Sequence, residues 1–399
     1  MARIAHVLPP ILSIPHKLSF AVISRAYPFK KITAALEVSG KRTQRVRSLP
    51  FEIVVYYIIA ASLLMHVNLK EVLRYLFEGL RGLKEFSSLK IAGKSAISQA
   101  RSNLGSKVMQ VLYEDCVKPI ATSNTKGDWY KEKRLVCLDG STLDIPDEEV
   151  NKKEFGHPTT VDDKYIFPQI RFVSLAEAGT HVLFATAMGK YNTNEQVLAR
   201  EVVPQLNSEM VCLADRGFFS YELWKKAHET GASLIWRARS DLILRVVRAL
   251  KDGSYISYVK PRRPANSKEL IPVRVVEYEI QGIEKDPVRY RIITNFMDEK
   301  EVPALDIAKL YHERWEIETI FDEFKAHLIG KRTVLRSKTP ELIKQEFYGL
   351  LLAHYAIREI MHEAALEGDK DPDRLSYTHS LNIIRRKLPQ SGAFPPSEK

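Results

Sequence analysis

Apolar positions recur at helical spacing from the start of the chain to about residue 125. IVVYYIIAASLLM (53–65) is an unbroken apolar run of 13 residues behind Pro50. A membrane span needs about 20 residues, so this run predicts a buried helix. NLKEVLRYLFEGL (68–80) puts Leu69, Val72, Leu73, Leu76 and Leu80 on one helical face. GKSAISQARSNLGSKVMQVLYEDCV (93–117) predicts two short helices broken near Gly105, with Ser95 as a cap. That layout resembles a helix-turn-helix and sets Lys94, Ser98, Gln99, Arg101 and Asn103 where DNA would lie. An ordinary helical hairpin fits the same pattern.

Past residue 126 the rhythm shortens to two. RLVCLD (134–139), YIFPQIRFVSLAE (165–177) and THVLFATAMG (180–189) predict strands, the last two joined around Gly179. NEQVLAREVVPQL (194–206) predicts a helix, EMVCLADRGFFS (209–220) a strand, SYELWKKAHETG (220–231) a helix and ASLIWRAR (232–239) a strand. This order is mixed α/β. Residues 240–290 alternate strictly, predicting an inserted antiparallel sheet with a basic loop, PRRPANSKE. One helix then runs from Pro303 to about Gly330, a long one covers 340–366, and a basic helix, SLNIIRRKLP, follows. Three parts are expected: helical residues 1–125, an α/β domain over 126–360 with its β-rich insertion at 240–290, and a helical segment 361–399.

Charge changes the picture more than composition does. Sixty Lys and Arg face 49 Asp and Glu, a formal charge of +11, and such an excess points to a polyanionic partner, nucleic acid first. Cys116, Cys137 and Cys212 are scattered, which excludes a zinc cluster and a disulfide framework and fits the cytoplasm. The first 20 residues are interrupted by Pro9, Pro10 and Pro15 and carry no signal-peptide core. No membrane association is expected.

The candidate chemistry begins with YHERWEIETIFDEFK (311–325). At about 100° per residue, Tyr311, Arg314, Glu318 and Lys325 fall within an arc of about 60°. Ile317, Phe321, Phe324 and Leu328 make an adjacent apolar face, and His312, Glu316 and Glu323 fall on the solvent side. An exposed face with an Arg314–Glu318 ion pair would account for the polar arc alone. Two further acids, Asp139 and Asp215, each end a predicted strand, where α/β sheets collect their chemistry. Either could be a turn residue, and Asp144 and Asp147 lie close to the first. Three converging carboxylates repel unless a cation joins them, and an all-oxygen set suits Mg²⁺ or Mn²⁺. A pair of such ions serves phosphodiester chemistry.

These residues resemble a bacterial insertion-sequence transposase of the DDE type, in the insertion-sequence-four family. The family signature Y-(2)-R-(3)-E-(6)-K is complete in Tyr311, Arg314, Glu318 and Lys325. VCLDGSTLDIPD resembles the segment of its first catalytic aspartate, here Asp139, and VCLADRGFFS that of the second, here Asp215, with Arg216 beside it. The stretch between Asp215 and Glu318 leaves room for the β-rich insertion this family carries. The likeness extends over nearly the whole chain. It implies a ribonuclease-H-like catalytic domain interrupted by that insertion and preceded by a helical DNA-binding domain. It implies metal-dependent cut-and-paste transposition at terminal inverted repeats, by end cleavage, a hairpin step and strand transfer. It further implies two Mg²⁺ (or Mn²⁺) on Asp139, Asp215 and Glu318, contacts to double-stranded DNA from Tyr311, Arg314, Lys325, Trp315, Arg216 and Arg101, a dimer in the synaptic complex, and a nucleoid-associated bacterial location. The hairpin step would flip a base onto an aromatic; Trp236 and Trp315 are the candidates, each with a core role as the alternative. The rival functions are a same-fold DNA nuclease that does not join, and a non-catalytic DNA-binding protein or decayed transposase.

Overall fold

The computed structural model of the protein describes residues 18–41, 49–80, 94–158, 167–261, 269–280, 288–331 and 334–387. Residues 1–17, most of the basic loop PRRPANSKE and the last two residues of SLNIIRRKLP lie outside them. The N-terminal part is helical: α1 (Leu18–Ala26), α2 (Phe29–Val38), α3 (Phe51–Leu63), α4 (Leu69–Leu80), α5 (Lys94–Leu104) and α6 (Lys107–Cys116). Pro28 and Pro50 stand immediately before α2 and α3, where a missing N–H costs nothing. The apolar run of α3 is buried along its whole length from Ile53 to Leu63, as a helix without a polar stripe must be.

The α/β part is built on β1 (Trp129–Tyr130), β2 (Lys133–Asp144), α7 (Glu149–Phe155), β3 (Gln169–Glu177), β4 (Leu183–Lys190), α8 (Glu195–Val202), β5 (Met210–Ala214), α9 (Tyr221–Glu229) and β6 (Ser233–Arg237). The spatial order is β4-β3-β2-β5-β6. β2, β5 and β6 run parallel, and β3 runs antiparallel to both of its neighbours. This is the ribonuclease-H-like arrangement. The centre of β2, Leu135–Cys137–Leu138, and all of β5 are buried, the apolar pattern of strands covered on both faces.

The insertion supplies β7 (Arg248–Ala249), β8 (Tyr255–Val259), β9 (Ile271–Ile280) and β10 (Val288–Thr294), all antiparallel. It is not a separate sheet. β10 pairs with β6, making one ten-stranded sheet and covering an edge that would otherwise expose unpaired backbone groups.

The expected single helix after Pro303 is interrupted. It consists of α10 (Ala304–His312), a 3₁₀ turn over Glu313–Trp315, α11 (Glu316–Asp322) and a π-helical turn over Glu323–Gly330. Tight winding followed by loose winding departs from a uniform 3.6-residue period. The apolar face nevertheless lands as expected: Ile317, Phe321, Phe324 and Leu328 are buried, with Phe321 and Phe324 edge-on to Phe172 of β3. The long helix α12 (Pro340–Glu367) passes residue 360 unbroken, and α13 (Tyr377–Lys387) follows. α12 also covers α3. A β-carbon on Gly349 would lie 2.7 Å from Ile58 and 2.9 Å from Ser62, so only a glycine permits this approach.

Candidate active site

β2 and β5 lie in parallel register with Leu138 opposite Ala214, so Asp139 and Asp215 are the next residues of adjacent strands. Both emerge where their strands leave the buried centre of the sheet. The broken helix crosses this end. Tyr311, buried, donates its hydroxyl to Asp215 Oδ1 at 3.4 Å. Arg314 reaches Asp139 Oδ2 at 3.5 Å and Glu318 Oε1 at 3.1 Å. Lys325 donates to Ser141 Oγ at 3.0 Å, two residues beyond Asp139. The four residues of the polar arc therefore all face the strand ends. Asp144 and Asp147 do not join them: Asp144 accepts from Gln169 Nε2 at 2.6 Å, and Asp147 pairs with Lys152 at 2.8 Å.

Burial raises the Asp139 carboxyl to about 6, helped by the like charges of Glu195 and Asp215 and opposed by the Gly140 N–H and Arg314. Burial lowers Lys325, against the pull of Asp144. Arg314 keeps its charge: burial opposes it, but Tyr311, Glu318, Asp139 and Asp215 raise it overall. The donor set is carboxylate oxygen alone, the chemistry that hard divalent cations select. A cation already spans two of the three acids, in the form of the Arg314 guanidinium.

Three expected DNA contacts fare differently. Arg216 is exposed on the loop after Asp215. Trp315 is 53% exposed and lies beneath the Arg314 guanidinium, 5.4 Å from its ring centre. Arg101 is corrected: it is buried, with Nε on Gln345 at 2.8 Å and Nη2 on Ser337 at 3.0 Å. Its guanidinium ties α5 to Gln345 of α12 and to Ser337 just before that helix, away from solvent. Trp236 is fully buried and packs edge-on against Trp224, so it offers no face to a flipped base.

Sequence reasoning also misplaced Glu316 and Glu323. Glu323 is buried beneath the β3–β4 turn and α12. It accepts from His181 Nδ1 at 3.2 Å and pairs with Arg358 at 3.4 Å and His354 at 3.6 Å. His181 Nε2 meets Glu316 at 3.2 Å and Asp373 at 3.1 Å. Among the described residues His181, Glu316 and Asp373 are the one group of three His, Cys, Asp or Glu whose ligand atoms lie within 4.8 Å of one another, a distance to which Asp139, Asp215 and Glu318 do not close. Both ring nitrogens are already engaged, and Arg358 stands alongside. A helical wheel cannot report which neighbouring element covers a face.

A ribonuclease-H-like sheet with acids on adjacent parallel strands, where their pairing ends, defines a class of enzymes that process phosphodiesters, and residues 130–356 match the family described as Transposase DDE domain. Residues 17–114 match Insertion element 4 transposase N-terminal, and the chain belongs to the insertion-sequence-four family of DDE transposases. It is 28% identical over 361 residues to "Transposase InsG for insertion sequence element IS4" of Escherichia coli (strain K12), covering 90% of this chain and 80% of that one. A solved structure, "Cryo-EM structure of piggyBac transposase synaptic complex with hairpin DNA (SNHP)", aligns at a TM-score of 0.49 and 12% identity, covering 96% of this chain and 82% of the other. The protein is thus a DNA-binding enzyme of transposition, and its family depends on a divalent metal.

Proposed function

We propose that the protein moves its element by cut-and-paste transposition at terminal inverted repeats, with Asp139, Asp215 and Glu318 as the three catalytic acids. The observation that carries this reading is the register of β2 and β5, which sets two aspartates side by side beneath the signature residues of α10 and α11. These acids would hold two Mg²⁺ (or Mn²⁺), whose chemistry would be to activate an attacking oxygen and stabilise a leaving one.

The chain's own residues do the rest. Arg314 exchanges the carboxylates for the phosphate beside the scissile bond, where its planar fork gives paired donors. Lys325, held by Ser141, supplies a point charge at the other end of the arc. Tyr311 fixes Asp215 from the buried side. Arg216 meets the backbone next to the second aspartate. A groove of about 1150 Å³ runs from Phe219 and Ser220 along the insertion, lined by Arg239, Arg245 and Lys260 together with Glu222 and Asp241, the last paired with Arg239; Arg245 and Lys260 would meet a DNA backbone there. Hydrolysis frees a 3′-OH, which attacks the opposite strand to close a hairpin; a second water opens the hairpin and frees the 3′-OH again, and its attack on target DNA completes the reaction, each step an in-line displacement at phosphorus. Trp315 is the exposed aromatic at the site and receives the flipped base of the hairpin step. Two protomers synapse the two ends.

The test is cleavage of DNA carrying the ends that flank the element, with Mg²⁺ and with EDTA, for wild type, Glu318→Gln and Asp215→Asn. Metal-dependent nicking at the element's end, lost in both variants while DNA binding persists, is expected. Cleavage that survives loss of Glu318 would overturn its assignment. A same-fold nuclease would nick but never join the freed end to target DNA.

A further inference from the structure

α8 begins close to Asp139, whose carboxyl is raised in part by the like charge of Glu195. Asn194 caps it, accepting the Gln196 N–H at 2.8 Å, and Gln196 donates from its side chain to Gly217 O at 2.9 Å. The start of α8 is thereby fastened to the loop that follows Asp215. Its first residue, Glu195, turns toward the other aspartate strand. A β-carbon built on Gly140, the residue after Asp139, would lie 2.9 Å from Glu195 Oε1 and 3.2 Å from its Cγ. The Glu195 carboxylate therefore occupies the place where any side chain at position 140 would stand. Arg171 takes Oε1 at 2.8 Å and is itself fixed by Tyr191 O at 2.8 Å. Among the described residues Oε2 takes no partner, and the side chain is 32% exposed.

We propose that Glu195 is a fourth acid of the catalytic site, a carboxylate that joins Asp139, Asp215 and Glu318 in holding the divalent ions. This rests on the reading of those three acids as metal ligands. The residue between the two aspartate loops is an acid held in place by an arginine, with one oxygen turned free, and the strand opposite it is kept bare by a glycine. A helix-start acid would gain from the helix dipole at any orientation, and an ion pair with Arg171 would need no glycine opposite. The approach to Gly140 is what neither accounts for. A fourth carboxylate adds negative charge to a site that must hold two dications, and the Arg171 contact steadies it when they are absent.

The experiment is Mn²⁺ binding to the full chain on DNA carrying the element's ends, followed by electron paramagnetic resonance. It compares wild type, Glu195→Gln, Glu195→Asp, Asp139→Asn and Glu201→Gln, the last an exposed acid on the same helix. Glu195→Gln is expected to weaken Mn²⁺ binding at least tenfold, to raise the Mg²⁺ concentration for half-maximal cleavage by a similar factor, and to leave the melting temperature and end binding unchanged. Glu195→Asp should recover part of the affinity, and Glu201→Gln should match wild type. Wild-type Mn²⁺ binding by Glu195→Gln, with binding lost in Asp139→Asn, would overturn the fourth acid and leave the three-acid site standing. Wild-type binding by both would overturn the three-acid site together with this inference.

Discussion

The same broken helix carries two acid-rich clusters on opposite sides, and they are built to opposite ends. On the side of Glu323, the central charges are closed in. His181, Arg358 and Glu323 have side chains 2%, 1% and 8% exposed, and each acid faces a base. Glu323 is held well below the usual carboxylate range: burial opposes this, but Arg358, His181 and His354 overcome it. His181 sits up at about 9, because Asp373, Glu316 and Glu323 outweigh burial and Arg358. On the side of Glu318, one guanidinium serves two carboxylates and a third stands beside Tyr311. There the Asp139 carboxyl is pushed up, not down. Acids whose partners are built into the protein hold the fold. Acids crowded together without enough built-in cations are poised for an external one.

The comparison breaks if substitutions on the two sides do the same thing. Asp139→Asn, Asp215→Asn and Glu318→Gln should each cut end cleavage by about a thousandfold or more, with DNA binding intact, in a gel-based cleavage assay. Glu323→Ala should instead cost about 3–5 kcal/mol of stability by leaving Arg358 and His181 buried without their acid, read by urea denaturation. Arg314→Lys keeps the charge but loses the fork, and should slow cleavage on the order of tenfold to a hundredfold with a smaller effect on melting. The pH dependence sharpens the contrast further. Asp139 binds its proton more tightly folded than unfolded, so its protonation stabilises the metal-free protein, and that stability is lost as pH climbs from about 4 through about 6. Asp139→Asn should flatten that part of the melting-temperature profile. Trp315→Ala, at an exposed position, should change stability by less than about 0.5 kcal/mol and show its effect only in hairpin formation.

The signature side was legible because its information is local. Four residues at fixed spacing share a helical arc whatever the rest of the fold does; the strand read as ending at Asp139 instead runs on to Asp144, and only its pairing with β5 stops there. The interruptions at Glu313–Trp315 and Glu323–Gly330 carry no proline or glycine signal before Gly330, so a uniform helix was the natural expectation. The Glu323 side was illegible because its partners come from His181 and from Arg358, which only the folded sheet brings together. Arg101 failed for the same reason: its own helix looks open, and the Gln345 and Ser337 that bury it lie over 230 residues away. Glu195 was visible as a helix-start acid, yet its nearness to Gly140 depends on sheet order.

The clasp between α3 and α12 has a consequence in time. A ribosome adds about 5–20 residues per second, so α3 emerges some tens of seconds before α12 exists. Through that interval Ile58 and Ser62 lack the Gly349 surface that closes over them in the finished protein, and α3 has only its N-terminal neighbours α1, α2, α4 and α5 to cover it. The helical N-terminal part is completed only when the catalytic part has been made. Synthesis itself therefore sets the earliest moment at which the two halves act as one molecule.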